Sequence, residues 1–287
     1  MFVNRVWHHH FGTGLVATPS DFGTRGELPS HPELLDWLAR DFVAGGWDVR
    51  RLLRRIALSA TYRQDSVVSP ERRARDPENV RLARFGGDRL SAEMVRDNAL
   101  AVSGPLNDAF GGPPAKPYDL PLAYNPIAAD DGAGLYRRSL YTFWKRSAPS
   151  PALMTLNGAK RDVCRLKRDA VQSPLQALVL LNGPQFVEAA RVFAGTLLDE
   201  HGSDSDAALA AAFVRLTGRE PTDDEQRILS AMLKEQAAAF AADPEAARQL
   251  LAVGNARPRA GLDPAAHAGL AATVNALMNL DEAVRRP

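Results

Sequence analysis

Cysteine is almost absent from this sequence of 287 residues, because Cys164 is the only one. A single thiol excludes an internal disulfide. It also leaves no CxxCH pair for attaching haem c and no cysteine-rich zinc site in this chain. No base accompanies Cys164 in sequence, so we interpret it as a buried or incidental thiol.

Long apolar runs and net charge are also missing. No run reaches the roughly 18 apolar residues of a membrane span, and the first residues do not form a signal peptide. The 35 lysines and arginines nearly balance the 34 aspartates and glutamates, so the whole molecule has no field that would attract nucleic acid. We therefore expect neither a membrane span nor a nucleic-acid partner.

Helical periodicity runs through most of the sequence. Capping signals accompany it, namely Ser30 with Glu33, Thr222 with Glu225, and Asp263 before Pro264. Apolar stripes at helical spacing cover residues 2–11, 31–46, 49–64, 91–103, 173–182, 183–202, 206–221, 222–242, 243–254 and 264–278. There is no repeat period and no βαβ alternation, so we predict a mainly α protein.

The helices are divided by a long irregular stretch. We predict an N-terminal helical part over 1–110, an irregular excursion over 111–172 and a C-terminal helical bundle over 173–287, as two packed helical parts of one structural domain. The string YRRSLYTFWKR, residues 136–146, is rich in β-prone residues. It predicts a strand or an extended segment, which would give one short strand or hairpin within the irregular middle.

The first helix begins without a capping residue in front of it. Phe2, Val3 and Trp7 fall on one helical stripe that starts at once after Met1. This pattern indicates a C-terminal piece of a longer protein, cut within a helix. We expect these three side chains to form an exposed apolar seam that packs on an upstream domain.

Three adjacent histidines follow on the same helix. Successive helical residues point about 100° apart, so His8, His9 and His10 cannot converge on one metal, and we predict no metal site. Helical spacing places His10 on the apolar face as a core residue, and His8 and His9 on a polar face with Asn4 and Arg5. The alternative is that His8 or His9 faces the missing domain as a ligand, proton relay or haem-edge group.

The usual catalytic motifs are lacking. We find no G-x-S-x-G elbow, no H-E-x-x-H, no P-loop and no G-x-G-x-x-G after a strand. The catalytic candidates are therefore His8, His9 and His31. Carboxylates near His31 in sequence offer acid–base partners, but spacing in sequence cannot place two of them across a bond.

Aromatic and basic residues mix in two segments. Tyr141 and Trp144 suit core packing, a sugar-stacking platform or an electron-transfer relay, and they join Asn4 and Arg5 as binding candidates. The run RRLLRR, residues 50–55, suits an anion-binding patch. More often such a face is solvated or paired with nearby carboxylates, here Asp36, Asp41 or Asp48.

Several strings together resemble one known family. FVNRVWHHHFGTGLVATPSDFG, HPELLDWLARDFVAGGWDVRRLLRRIALSATYRQ, LYTFWKRSAPSPALMTLN, SPLQALVLLNGPQFVEAAR and ALMNLDEA are similar to the planctomycete-type domain of unknown function 1553. The resemblance implies the closing domain of a large exported protein, located in the periplasm or at the cell surface. It also implies an upstream domain of unknown function 1549 and often a planctomycete-type cytochrome c domain. Haem c would then lie upstream, with no cofactor in this chain.

The family that the chain resembles has no established reaction. We therefore expect a structural or co-catalytic helical domain, linked to extracytoplasmic redox or polysaccharide metabolism. Its partners would be the upstream domain of the same parent protein and a polysaccharide or redox partner. The alternatives are an enzyme domain, a hydrolase or oxidoreductase with a His/carboxylate site near the first helix, and a carbohydrate-binding module.

Overall fold

The computed structural model describes residues 1–117, 128–145, 148–162, 164, 166 and 171–285. These residues contain twelve α-helices, and the β pairing among them is limited to four isolated bridges. The predicted mainly α fold is confirmed. None of the helices in the described part is long and apolar enough to cross a membrane.

The chain divides into two compact units. Unit 1 is built on Met1–Asp88, and unit 2 on Arg89–Cys164 and Arg168–Arg285. Of the predicted irregular middle, residues 111–117, 128–145, 148–162, 164, 171 and 172 are described and belong to unit 2, while residue 166 is described and belongs to unit 1.

Unit 1 packs its helices around a small aromatic and aliphatic core. Val3 and Trp7 are each only 4% exposed and lie in this core with Leu38 and Ile56. Phe2 stays 44% exposed and stacks on Phe42 with 5.2 Å between ring centroids. The helices are α1 (Phe2–Phe11), α2 (Pro32–Ala44), α3 (Val49–Ala57) and α4 (Pro70–Arg75). The predicted exposed seam was therefore wrong for Val3 and Trp7, because unit 1 buries them itself.

A side-chain clamp closes the loop that follows α1. The Asn4 side-chain amide donates to the Val16 carbonyl oxygen at 3.0 Å, and Asn4 Oδ1 accepts from the Val16 N–H at 2.9 Å. The loop passes so close that a Cβ on Gly14 would lie 2.6 Å from the Val16 oxygen. Asn4 is 1% exposed, so its predicted place on a polar face was wrong. Helical spacing alone did not reveal the loop that covers it.

Two helix ends in unit 1 differ from the sequence signals. His31 is the N-cap of α2 and its side chain makes no capping hydrogen bond, so the predicted Ser30–Glu33 capping box was wrong. The Ser30 hydroxyl instead donates to the Leu15 carbonyl oxygen at 3.3 Å. α3 ends at Ala57, short of the predicted residue 64. There the Ser59 hydroxyl donates to the Ile56 carbonyl oxygen at 2.7 Å.

Unit 2 is a helical bundle, and two of its helices, Pro184–His201 and Pro264–Met278, have the most buried residues. The helices are α5 (Ala92–Ser103), α6 (Pro151–Thr155), α7 (Pro174–Asn182), α8 (Pro184–His201), α9 (Ser205–Thr217), α10 (Asp223–Ala242), α11 (Pro244–Leu251) and α12 (Pro264–Met278). α12 packs against both α8 and α10. At Gly269 of α12 a Cβ would lie 2.8 Å from the backbone of Ala237, so the helices approach this closely only because that residue is glycine.

The local capping signals of unit 2 are confirmed. Thr222 and Glu225 form the predicted capping box at the start of α10, and Asp263 accepts from the Ala266 N–H at the start of α12. Both signals depend on neighbours within three residues, so surrounding packing does not alter them.

No strand forms in residues 136–145 of the segment predicted as a strand or extended chain, although Arg137, Thr142 and Lys145 make isolated bridges; residue 146 lies outside the described part. The segment contains two short 3-10 turns, Gly132–Tyr136 and Ser139–Tyr141. The guanidinium of Arg96 binds the carbonyl oxygens of Leu135 at 2.7 Å and Arg137 at 2.8 Å, which holds the chain in these turns.

The Asn4 clamp generates the first prediction. Replacing Asn4 with alanine leaves the buried N–H and carbonyl of Val16 without partners, so we expect a loss of about 2–3 kcal/mol in the free energy of unfolding of unit 1. Three of the four tryptophans lie in unit 1, so urea unfolding followed by tryptophan fluorescence measures it. The exposed His9→Ala on the same helix is the control. Equal midpoints for the two variants would contradict the clamp.

Candidate functional site

A cavity of about 380 Å³ lies within unit 2. Its walls come from α5, the 3-10 turn Gly132–Tyr136, the first residues of α6, the junction of α7 and α8, and the loop after α11. Leu100, Leu135 and Phe186 give it buried apolar surface, while Tyr136 and Glu188 supply polar groups. This size and mixture are typical of small-molecule sites in proteins.

Glu188, on the second turn of α8, is the central polar residue of the cavity. It is 7% exposed, and its Oε1 accepts hydrogen bonds from the Tyr136 hydroxyl at 2.8 Å, the Asn255 N–H at 2.7 Å and the Ala256 N–H at 2.6 Å. Gly254 has φ +87°, and a Cβ there would lie 2.5 Å from Glu188 Oε2. This glycine turn directs two successive N–H groups at one carboxylate oxygen.

Arg191 follows Glu188 one helical turn later and holds the same loop. Its Nε donates to the Val253 carbonyl oxygen at 2.7 Å and its Nη2 to that of Ala256 at 2.5 Å. Nη2 also lies 3.9 Å from Glu188 Oε1. Burial lowers the pKa of Arg191, and the neighbouring Glu188 and Tyr136 oppose that shift. The two α8 side chains thereby fasten the loop that forms one wall of the cavity.

Arg96 fastens the opposite side. It is buried on α5, where its Nε donates to Gln185 Oε1 at 2.8 Å. Its other donors bind the carbonyl oxygens of Leu135 and Arg137 and the Ser139 hydroxyl, the last at 3.1 Å. One guanidinium thus joins α5, the start of α8 and the 3-10 turns, which makes this wall rigid.

Tyr136 keeps its proton. Burial raises the pKa of its phenol, and the hydrogen bond to Glu188 and the carboxylate itself raise it further. Glu188 Oε2 receives no hydrogen bond from the described residues. Glu188 is the one carboxylate that lines the described part of the cavity. The arrangement therefore offers a fixed acceptor for a ligand, with acid–base capacity on one side only.

The histidines singled out from the sequence lie in unit 1, whereas the cavity lies in unit 2. His9 is exposed, and His8 is half-buried with its ring 5.8 Å from that of His9. His31 is half-buried, and its Nδ1 lies 3.0 Å from the Ser30 hydroxyl. His10 is half-buried at the edge of the core predicted for it, with its ring centroid 6.0 Å from that of Tyr62, which packs against that core. Its Nδ1 donates to the carbonyl oxygen of Val6 on its own helix at 2.8 Å.

The remaining polar groups of α1 make no cluster of metal ligands. Arg5 is exposed, while Asn4 is committed to the clamp described above. Within the described ranges, no three histidine, cysteine, aspartate or glutamate side chains come together as a metal site would require.

The two aromatic binding candidates pack against arginines. The Arg137 guanidinium lies 4.2 Å from the ring centroid of Tyr141, whose hydroxyl accepts from the Gly111 N–H at 3.0 Å. The Arg161 guanidinium lies 5.0 Å from the Trp144 ring, whose indole N–H donates to a backbone carbonyl at 3.0 Å. An arginine therefore lies over each ring, and a sugar-stacking role stays a prediction.

Two arginines of the basic run at residues 50–55 are salt-bridged to one aspartate. Asp41 pairs with Arg51 at 2.8 Å and with Arg55 at 2.9 Å, which confirms the salt-bridged interpretation for these two arginines. Asp48 caps α3, while the side chains of Arg50 and Arg54 are exposed. Cys164 is exposed, so the buried-thiol interpretation was wrong, and the incidental one stays a prediction.

The residues that shape the cavity were missed from the sequence. Arg96, Glu188 and Arg191 each lie among apolar helical neighbours, as in the string PQFVEAARVFAG. A charged residue within an apolar stripe is almost never buried unless it is paired. That contradiction was the available signal, although it does not name the partners.

The fold and the cavity define a helical domain of two units, one of which holds a ligand-sized site. A family model described as PSD1, protein of unknown function (DUF1553), matches residues 1–233. The match covers most of the chain, so the chain belongs to this family. It ends within α10, and the loop that binds Glu188 lies beyond it. Neither the curated proteins nor the solved structures give a match.

A buried histidine lies behind the cavity wall. His267 of α12 is 3% exposed, and its Nε2 donates to the carbonyl oxygen of Arg191 at 2.8 Å. Burial lowers the pKa of His267. The positive charges of Arg191 and Arg259 lower it further, while the hydrogen bond to the carbonyl opposes the shift. The folded protein therefore holds this imidazole neutral at pH values where the unfolded chain binds a proton.

The second prediction follows from the lowered pKa of His267 in the folded protein. Stability contributed by neutral His267 is fully present above the unfolded pKa of about 6.5 and is lost as pH falls through the lower folded value. We expect His267→Gln to flatten the fall in unfolding free energy between pH 7.5 and 5, by at most about 1.4 kcal/mol per pH unit. Urea titrations at each pH measure it, with exposed His9→Gln as control. Parallel curves for wild type and H267Q would show that His267 does not titrate on unfolding.

Proposed function

We propose that this chain is a ligand-binding accessory domain, which holds a small molecule in the unit 2 cavity on behalf of a larger extracytoplasmic protein. The proposal depends on one observation, which concerns Glu188 Oε2. It is a carboxylate oxygen without a described donor in a cavity of ligand size, fixed in place by three hydrogen bonds to its partner oxygen.

The contacts support binding more than a His/carboxylate enzyme site near α1. Glu188 is held rigidly, as a recognition group must be if it is to orient a ligand. His8, His9 and His31 belong to the other unit, and the described partner of the His31 ring is a serine. A structural or co-catalytic role within the parent protein is consistent with such a cavity.

The cellular setting in this proposal comes from the family. Membership of the DUF1553 family supports an exported parent protein with an upstream partner domain and haem c, serving redox or polysaccharide metabolism. The chain contains one cysteine and no CxxCH pair, so the proposal assigns haem c to another domain of the parent.

The third prediction tests the cavity. We expect a library of chemically diverse fragments, screened by ligand-observed NMR against the full chain, to contain several binders. Ala152→Phe fills the cavity at the start of α6 and should weaken these binders about tenfold or more. Ala238→Phe, an exposed alanine of α10, is the matched control and should leave them unchanged. The proposal fails if nothing binds the wild type, or if A152F binds as the wild type does.

The fourth prediction tests the haem assignment. After expression with a cytochrome c maturation system, we expect the full-length parent to show covalent haem absorption and this chain alone to show none. In the parent, His9→Ala should leave the haem spectrum and redox potential unchanged. A shifted potential would instead support the haem-edge role of the α1 histidines. A parent without haem would refute the cytochrome association.

A further inference from the structure

The hydrogen-bond donors that surround Glu188 Oε1 and the Arg96 guanidinium are committed to the protein. The Tyr136 hydroxyl and the N–H groups of Asn255 and Ala256 all donate to Glu188 Oε1. The Arg96 guanidinium binds oxygens on both sides of the cavity, including Gln185 Oε1. What this wall offers a ligand is an acceptor, Glu188 Oε2.

The orientation of this carboxylate is imposed by the backbone. The two N–H groups from the glycine turn can only donate, so the atom of residue 188 that faces them must be an acceptor. The second atom of the group is then directed away from them. Glu188 and Gly254 both line the cavity, and Oε2 lies beside Gly254, so of the two carboxylate oxygens it is the one left for a ligand.

The charges near the cavity are balanced in pairs. Arg191 Nη2 lies 3.9 Å from Glu188 Oε1, and Arg96 Nη1 lies 3.5 Å from Asp97 Oδ1. The donors of Arg191 that are seen to bond go to the carbonyls of Val253 and Ala256. Among the described residues no cation is seen directed at Glu188 Oε2, so an anionic ligand would meet an uncompensated carboxylate there, which is unfavourable in a partly dry cavity.

The geometry points to a ligand that donates a hydrogen bond to the cavity, and this inference rests on the proposed function. The cavity selects a small molecule that presents a hydroxyl or ammonium hydrogen to Glu188 Oε2. Its apolar face packs against Leu100, Leu135 and Phe186, and molecules that present a carboxylate at that position are rejected.

Three probes with one ring test this selection. Cyclohexylmethanol, cyclohexylmethylamine and cyclohexanecarboxylate share an apolar ring and differ in the group that meets Glu188. In ligand-observed NMR titrations of the full chain at pH 7.5, we expect the alcohol and the amine to bind about tenfold or more tightly than the carboxylate. A152F should abolish the binding of both.

The Glu188→Gln variant provides the sharper test. The two backbone N–H groups keep the amide oxygen of Gln facing them, so its NH₂ group takes the place of Oε2 and turns the acceptor into a donor. We expect the order of affinities to invert, with the amine weakened and the carboxylate strengthened. Glu200→Gln, an exposed residue of the same helix, is the matched control and should keep the wild-type order.

The outcomes distinguish a failure of the predicted ligand selection from a failure of the proposed ligand-binding function. Equal binding of the three probes, or tightest binding of the carboxylate, overturns the selection while A152F-sensitive binding still supports the cavity. If neither probes nor fragments bind, the proposed function falls with it. Circular dichroism establishes that E188Q is folded. Should it not fold, the wild-type probe series with A152F decides the question by itself.

Discussion

The buried carboxylate of Glu188 is the contact on which the cavity of unit 2 depends. Burying a carboxylate and a guanidinium costs several kcal/mol for each ion, and hydrogen bonds and pairing of the charges offset that cost. Here Oε1 of Glu188 has three donors, and Arg191 binds two carbonyl oxygens of the same loop. The bonds that compensate burial also hold an irregular loop against α8. Removing these hydrogen bonds would therefore release a wall of the cavity.

Both units hold an irregular segment in place in the same way. In unit 1 the amide of Asn4 binds both backbone groups of Val16 and holds a loop over α1. In unit 2 Arg96 binds two consecutive turns through their carbonyl oxygens. In each case a buried polar side chain on a helix supplies hydrogen bonds that an irregular segment cannot make for itself. The DUF1553 chain thus obtains rigid walls without a sheet in its described residues.

Predictions from the sequence were right where the interacting residues are close together along the chain, and wrong where they are far apart. The capping box at Thr222 joins residues three apart and was predicted, as was the N-cap at Asp263. No strand forms over 136–145, and a group that shapes this segment lies far away in sequence, since Arg96 is 39 residues before Leu135. Periodicity placed Asn4 on a polar face because it reads one helix at a time. A loop that returns over the helix has no signal in that pattern.

The sequence by itself determined the helical class, most helix positions, the absence of a disulfide and the family. These properties depend on composition, on local periodicity and on neighbours a few residues apart. Only the tertiary structure decided where a ligand can bind. The donors to Glu188 come from 52 to 68 residues away, on a 3-10 turn and on the loop after α11. A carboxylate acquires such partners only when folding brings distant backbone groups to it, because hydrogen bonds form over about 3 Å and not along the chain.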